Sequence, residues 1–429
     1  MRPQDNIKLM KRSVISAILA VAATFSMGAQ LPVGMNPPYP PAYYGTMMPV
    51  QLPPDIQEAP DSLTPLFVNH IGRHGARFMS SDKKVKRLAG ALDRALAASS
   101  LSTDGHRLAA MVREVERRTD GRWGALDSLG HAEQTAIATA LNSALPGFFT
   151  AGNIMAMSSY VPRCVESMYT FCHRLGQLDN SLQITASSGP DYDALLRFFD
   201  TDMDYARWLG HGSWKKIYDS YVEANVPLEP ARRLFSTGYL LPESELRKIT
   251  LDIYALLQSL PAAGINASPA PFLTPGEFEA CWKASNLYHA LERTATPWSK
   301  LPARAAGGLL REIVSSTQTF IDDPAARNLV RGMFRFGHAE TIMPLFSLMG
   351  LPGCTVPDNA TPETLSDYWT DSYVSPLGAN FMLIIYRSPS GGIYARTLLN
   401  GRPVIPWPEA NATIVPWAAL RDYWMKKTL

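Results

Sequence analysis

Cysteine is scarce in this chain: four occur in 429 residues, at Cys164, Cys172, Cys281 and Cys354, with neither a CxxC pair nor an HExxH motif. That removes the usual starting points for a zinc site, which needs clustered thiolates or imidazoles at set spacings. If Cys164 and Cys172 share a helix, they stand roughly 12 Å apart along its axis, beyond disulfide reach. Net charge is also nearly absent, 40 basic residues against 38 acidic giving +2. No global field exists to draw nucleic acid or an anionic membrane, so any anion site must be local. Long apolar runs are missing too. Val14 to Phe25 falls short of the ~20 residues of a membrane span, and no later segment is apolar enough to cross. Because Lys8, Lys11 and Arg12 precede that run and Ser26, Gly28 and Ala29 follow it, residues 1–29 read as an export signal. The expected location is periplasmic or secreted, with no membrane span once the signal is removed.

What the chain does have, at 46% hydrophobic residues, is enough apolar material for a large core. Residues 30–62 form a proline-rich leader, with Pro37-Pro38-Tyr39-Pro40-Pro41 excluding helix. It is either a flexible tail or an arm laid across the surface. Globular order is expected from residue 63. Leu66-Phe67-Val68 leads through Gly72 into Arg73-His74-Gly75-Ala76-Arg77, a buried strand ending in a tight turn, with helices expected near 85–98 and 104–118. Asn153 to Met157 repeats the pattern and passes through Pro162-Arg163 into a helix whose Cys164, Met168, Phe171 and Leu175 recur at helical spacing. Gly332 to Phe336 repeats it again, running into Gly337-His338-Ala339-Glu340 and an apolar helix.

Between 200 and 325 the pattern changes to helices broken by proline and glycine, read as an all-helical insertion that divides the α/β core into 63–199 and 326–429. Strands return at 381–386, 393–399 and 402–405, the last two joined by Asn400-Gly401, a tight-hairpin signal, and a closing helix covers 417–425. The expected fold class is α/β, a doubly wound and mostly parallel sheet flanked by helices, with the helical insertion added.

In open α/β sheets ligands bind beyond the carboxyl ends of the strands. Three such ends offer Arg73, His74 and Arg77, then Arg163, then His338 and Glu340. Guanidinium groups supply forked, permanently charged donors for phosphate oxygens, and an imidazole among them can attack phosphorus. Neighbouring arginines disfavour a protonated ring, which keeps it nucleophilic. A carboxylic acid nearby can protonate the leaving alkoxide.

RHGAR at 73–77 with GHAE at 337–340 resembles branch two of the histidine phosphatase superfamily, and within it the multiple inositol polyphosphate phosphatases, which carry His-Ala-Glu where acid phosphatases carry His-Asp. Phe67 to His70, Pro162-Arg163-Cys164 with Ser167, and Leu196 to Asp200 are similar as well, and the resemblance runs from about Leu63 to the C-terminus. It implies that His74 becomes phosphorylated, that Arg73, Arg77, Arg163 and His338 clamp the phosphoryl group, and that Glu340 donates the proton. It implies no metal or organic cofactor. The expected partner is a small-molecule substrate, inositol hexakisphosphate or lower inositol phosphates, hydrolysed best at acidic to neutral pH. The resemblance also implies a substrate pocket where the core meets the insertion. Arg207, Lys215 and Lys216 are candidates there for the remaining phosphates, followed by Arg232, Arg233, Arg247 and Lys248. A broad acid phosphatase acting on sugar phosphates or bisphosphoglycerate, a phosphate-ligand binding protein without catalysis, and a phosphotransferase or mutase are the alternatives.

Overall fold

The computed structural model describes residues 39–56, 59–323 and 330–428. The expected export signal and the first part of the proline-rich leader lie outside the described residues. Eight strands form one sheet: β1 Thr64–Arg73, β2 Asn153–Ser158, β3 Gln183–Ser188, β4 Val330–Gly337, β5 Asn380–Arg387, β6 Ile393–Leu399, β7 Arg402–Val404 and β8 Ile414–Pro416. Their order is β3-β2-β4-β1-β5-β6-β7, with β8 also paired to β6.

The α/β class expected from the sequence is the one observed, but the sheet is mixed rather than mostly parallel. β3, β2, β4 and β1 run parallel, whereas β1–β5, β5–β6, β6–β7 and β6–β8 are antiparallel. The reason is connection length. Parallel neighbours need a crossover, and helices supply one between β1, β2 and β4. β6 and β7 are joined directly by Asn400-Gly401, both with positive φ, which closes a tight antiparallel hairpin.

Both faces of the sheet are covered. Adjacent residues Phe67 and Val68 of β1, and Leu383 and Ile384 of β5, point into different core clusters. This period-two division across two buried faces is what makes those strands read as continuous apolar runs. One face receives α3 (Ser128–Ala144) and α4 (Pro162–Leu178), the other the helices Gly307–Asp322, Ala339–Met349 and Trp417–Lys427. Pro162 opens α4, and its predicted stripe Cys164, Met168, Phe171 and Leu175 is at most 1% exposed.

From Asp193 to Asp322 the described elements are all helical. A separate cluster joins the helices Glu243–Ser259 and Pro275–Arg293 to α1 (Lys83–Ala97) and α2 (Thr103–Thr119). The helical side is therefore built from two stretches of chain, including helices that precede β2. The described part of the leader is an arm. Tyr39 Oη donates to the Leu273 carbonyl at 2.7 Å, and Gln258 Nε2 donates to the Tyr44 carbonyl at 2.7 Å. The arm then bridges to the core, where Val50 N donates to the Leu377 carbonyl at 2.8 Å.

Candidate active site

The three strand ends predicted to converge do so because β2, β4 and β1 are adjacent and in parallel register, with Arg73 opposite Gly337 and Ser158 opposite Phe336. The chain leaves all three strands at one level. His74 N donates to the Gly337 carbonyl at 3.0 Å, and Ser159 N to the Phe336 carbonyl at 3.1 Å. His74 is 2% exposed, and its ring lies 5.8 Å from that of His338.

The orientation of His74 fixes its chemistry. Nδ1 lies 2.9 Å from the Gly75 carbonyl. A carbonyl can only accept, so Nδ1 carries the proton and the Nε2 lone pair is left free. Burial, and then the charges of Arg73, Arg77 and Arg163, hold the imidazole well below its ordinary range. A neutral ring with an exposed Nε2 lone pair is what nucleophilic attack requires.

The loop that holds His74 rests on α3 and α4, and most of this support has no motif in the sequence. Gly75 N donates to Ser167 Oγ at 3.1 Å. Ala76 N donates to Glu133 Oε2 at 2.6 Å. Gln134 Nε2 reaches the Arg73 carbonyl at 3.4 Å. Gly75 meets Gly130 face to face: a Cβ on Gly75 would fall 2.5 Å from the Gly130 oxygen, and one on Gly130 only 2.3 Å from the Ala76 oxygen. Only two glycines permit this approach of loop and helix. α3 is not among the helices expected from the sequence; the signal that could have found it is Asp127, whose side chain accepts from the Gly130 N–H, ahead of Ile137 and Leu141 at helical spacing.

Four arginines surround the histidines. Arg73 donates through one terminal nitrogen to the carbonyls of Thr46 and Ser375, both at 2.7 Å, so the arm and the 375 loop aim it. Burial and the neighbouring Arg77 push it down to about 9, which leaves it charged at neutral pH. Arg163, second residue of α4, brings a terminal nitrogen within 3.4 Å of His338 Nδ1. Arg197, which the sequence placed only in a supporting segment, comes within 3.3 Å of His338 Nε2. The Nε donors of Arg73, Arg77 and Arg163 are buried without a protein partner. Such donors are the expected equipment of an oxyanion site.

His338 is thus flanked by two cations that can only donate, while a neutral imidazole has a single acceptor nitrogen. The ring cannot take a second proton there. Burial, opposed by Glu340 and reinforced by Arg163 and Arg197, lowers it to about 3. Ser159 Oγ lies 3.0 Å from Nε2 and can serve as donor or acceptor.

Glu340 opens the helix Ala339–Met349 and ion-pairs with Arg293 at 2.8 Å. That contact, with His338 and Arg73 behind it, overcomes burial and holds the carboxyl well below the usual carboxylate range. Arg293 lay in the helical stretch with no motif to mark it. The structure therefore gathers His74, Arg73, Arg77, Arg163, His338 and Glu340, and adds Arg197 and Arg293.

The insertion cations are not part of this group. Arg207 is exposed and paired with Asp204 at 2.8 Å. Lys215 donates to the Gly210 carbonyl and lies over Trp214, and Lys216 is exposed. Arg232, Arg233 and Arg247 pair with Glu229, Glu277 and Glu243, and Lys248 lines a surface groove beside Glu245. His70 is packed among Phe171, Phe334 and Phe336, where burial lowers it to about 3, a structural position. All four thiols are free and buried, with Cys164 and Cys172 both on α4. Among the described residues no group of His, Cys, Asp and Glu is arranged to hold a metal ion, and no helix is long and apolar enough to cross a membrane.

No family model matches the chain. It is 24% identical over 387 residues to multiple inositol polyphosphate phosphatase 1 of Gallus gallus, covering 85% of this chain and 82% of that protein. The structure of Bifidobacterium longum multiple inositol polyphosphate phosphatase complexed with inositol hexasulfate aligns with a TM-score of 0.73 at 15% identity, covering 89% of this chain and 97% of that one. The phytase of D. castellii aligns with a TM-score of 0.68 at 16% identity, covering 90% and 85%. The likeness to the solved structures is one of fold, and it agrees with the resemblance read from RHGAR and GHAE.

Proposed function

We propose that this chain is an exported phosphomonoester hydrolase that removes phosphates from inositol polyphosphates through a phosphohistidine on His74. The observation that carries the reading is the 2.9 Å approach of His74 Nδ1 to the Gly75 carbonyl, which requires the proton on Nδ1 and leaves Nε2 as the attacking atom inside a ring of guanidinium groups. The curated relative bears the name of an inositol polyphosphate phosphatase, which supports the substrate class. The pattern of residues 1–29 supports export.

In the first step His74 Nε2 bonds to phosphorus as the ester oxygen leaves and takes a proton from the Glu340 carboxyl. Arg73, Arg77, Arg163 and His338 stabilise the three equatorial oxygens, and positioning with preorganised charge supplies most of the acceleration. Water then attacks phosphorus, giving its proton to the Glu340 carboxylate, and the P–N bond breaks to release inorganic phosphate and neutral His74. Protons and charges return to the starting state.

The test is to incubate the protein with radiolabelled inositol hexakisphosphate, quench in alkali, and map the label. Acid-labile label on His74 is expected, and His74→Ala should lose phosphate release by at least about 10³-fold. Tight binding of the inositol phosphate without release or label would convert the protein to a binding module. Faster turnover of sugar phosphates than of inositol hexakisphosphate would favour a broad acid phosphatase.

A further inference from the structure

An ionised carboxylate cannot donate a proton, yet Glu340, the group in position to do so, is ion-paired with Arg293 at 2.8 Å. Arg293 is itself shared. It is the last residue of the helix Pro275–Arg293, its second terminal contact is Glu292 at 3.3 Å, and its Nε has no protein partner. Two carboxylates thus compete for one guanidinium, and Glu292 and Arg293 are 10% and 13% exposed in their side chains against 34% for Glu340. If Arg293 releases Glu340, Glu292 still balances its charge inside the protein, so release leaves no buried cation unpaired.

We propose that Arg293 is a positioning residue that keeps Glu340 ionised in the free protein and lets it hold a proton to higher pH when a multiply phosphorylated substrate competes for the guanidinium. The proposal rests on the reading of Glu340 as proton donor given above. One phosphate clamped by Arg73, Arg77 and Arg163 brings negative charge next to Glu340 and raises its proton affinity. A second phosphate on the same molecule accepts hydrogen bonds from Arg293 and removes the opposing charge. Glu340 then binds a proton from solvent and passes it to the leaving alkoxide. A substrate with a single phosphate provides only the first of these effects.

The groups facing Glu340 are consistent with a balance that one guanidinium can tip. His338 adjoins it on its own element. Arg73 and Arg77 face it from the loop after β1, Cys164 from α4, Tyr205 from the helix Met203–His211, and Arg293 from Pro275–Arg293. Arg293 is the largest charged influence among them. Tyr205 and Tyr288 face Arg293 in turn.

The experiment compares kcat–pH profiles of wild type, Arg293→Met and Arg293→Lys on inositol hexakisphosphate and on an alkyl monophosphate. In wild type the high-pH limb, which reports the proton on Glu340 in the complex, is expected at higher pH for the hexakisphosphate. In Arg293→Met the monophosphate limb should rise by about one pH unit, the usual effect of removing an adjacent opposite charge. The two limbs should then converge, while KM for the hexakisphosphate rises about tenfold. Arg293→Lys should retain part of the separation, and it carries the test alone if the methionine variant does not fold. Limbs that coincide in wild type, or that stay equally separated in the variants, overturn the proposal. A uniform loss of kcat on both substrates without limb movement also overturns it, as the mark of a structural role. Failure of the underlying function looks different: wild type would then release phosphate from neither substrate.

Discussion

Glu340 and Glu133 approach the RHGAR loop from opposite sides, and their surroundings drive them to opposite charge states. Above the loop, Glu340 touches Arg293 at 2.8 Å and feels Arg73 behind it, and this charge outweighs its desolvation. Below the loop, Glu133 is 4% exposed, accepts one hydrogen bond from Ala76 N, and has no protein partner for its second oxygen. There burial wins over the attraction of Arg73, and the carboxyl is raised to about 8. The difference is one of contact. A guanidinium within hydrogen-bond distance reverses the sign of a shift that a guanidinium without such a contact only tempers. The upper carboxyl is ionised, and the lower one is a neutral strut.

The largest effect expected on this comparison comes from the upper side. Glu340→Ala should slow hydrolysis of alkyl phosphates by about 10²–10⁴-fold, the usual weight of general acid catalysis. An activated aryl phosphate, whose leaving group needs no proton, should be slowed far less. Equal slowing of both esters would remove Glu340 from the donor role and leave the two carboxylates without a functional contrast.

Next is the floor itself. Gly130→Ala puts a methyl 2.3 Å from the Ala76 oxygen and 2.8 Å from its nitrogen, both backbone atoms with no rotamer in which to retreat. A cost of about 3 kcal/mol is expected from such overpacking. Because the same movement shifts His74, kcat should fall by up to about 10²-fold. Urea unfolding and steady-state rates check the two together. A variant that keeps both would show the loop to be supported elsewhere.

Much of the catalytic level could be read from the chain because it is made of repeated local grammar. Phe67-Val68 is an apolar pair buried on both faces, Ile154, Ala156 and Met157 are buried beside an exposed Met155, and Phe334 and Phe336 are buried on either side of Arg335; each run ends in residues of special character. What escaped was whatever lacks such a signature. β3 is the edge of the sheet, paired only with β2, and its Gln183–Ser188 sequence is polar and half exposed, as edge strands are. β8 has three residues and borrows its geometry from β6. The arm from Tyr39 to Val50 is held by contacts with residues more than two hundred positions away, which no window on the sequence can reveal. Arg197 reaches the site from the junction of two four-residue helices and Arg293 from the end of the helix Pro275–Arg293, in a stretch where most other cations form ordinary surface ion pairs, so residue type could not single them out. Glu133 carries no signature in the sequence, because its burial arises only when α3 packs under a loop whose Ala76 lies 57 residues earlier in the chain.

The smallest effect tests that strut. An unfolded chain ionises Glu133 near the ordinary glutamate value, whereas the native carboxyl keeps its proton up to about 8. Between those limits the native state holds the extra proton. Its contribution to stability is therefore complete below about pH 4.3 and is lost as pH rises through the folded value, by up to ~1.4 kcal/mol per pH unit. Glu133→Gln keeps an oxygen for the Ala76 N–H and cannot ionise, so it removes this slope. The buried amide NH2 adds a cost of about 1 kcal/mol, but that cost does not vary with pH and drops out of the comparison. Urea-derived stabilities of wild type and variant, taken from pH 5 to pH 8, should diverge steadily in favour of the variant. Parallel lines would mean that Glu133 is ionised in the native state, that guanidinium charge prevails over burial below the loop as well as above it, and that the two carboxylates are alike.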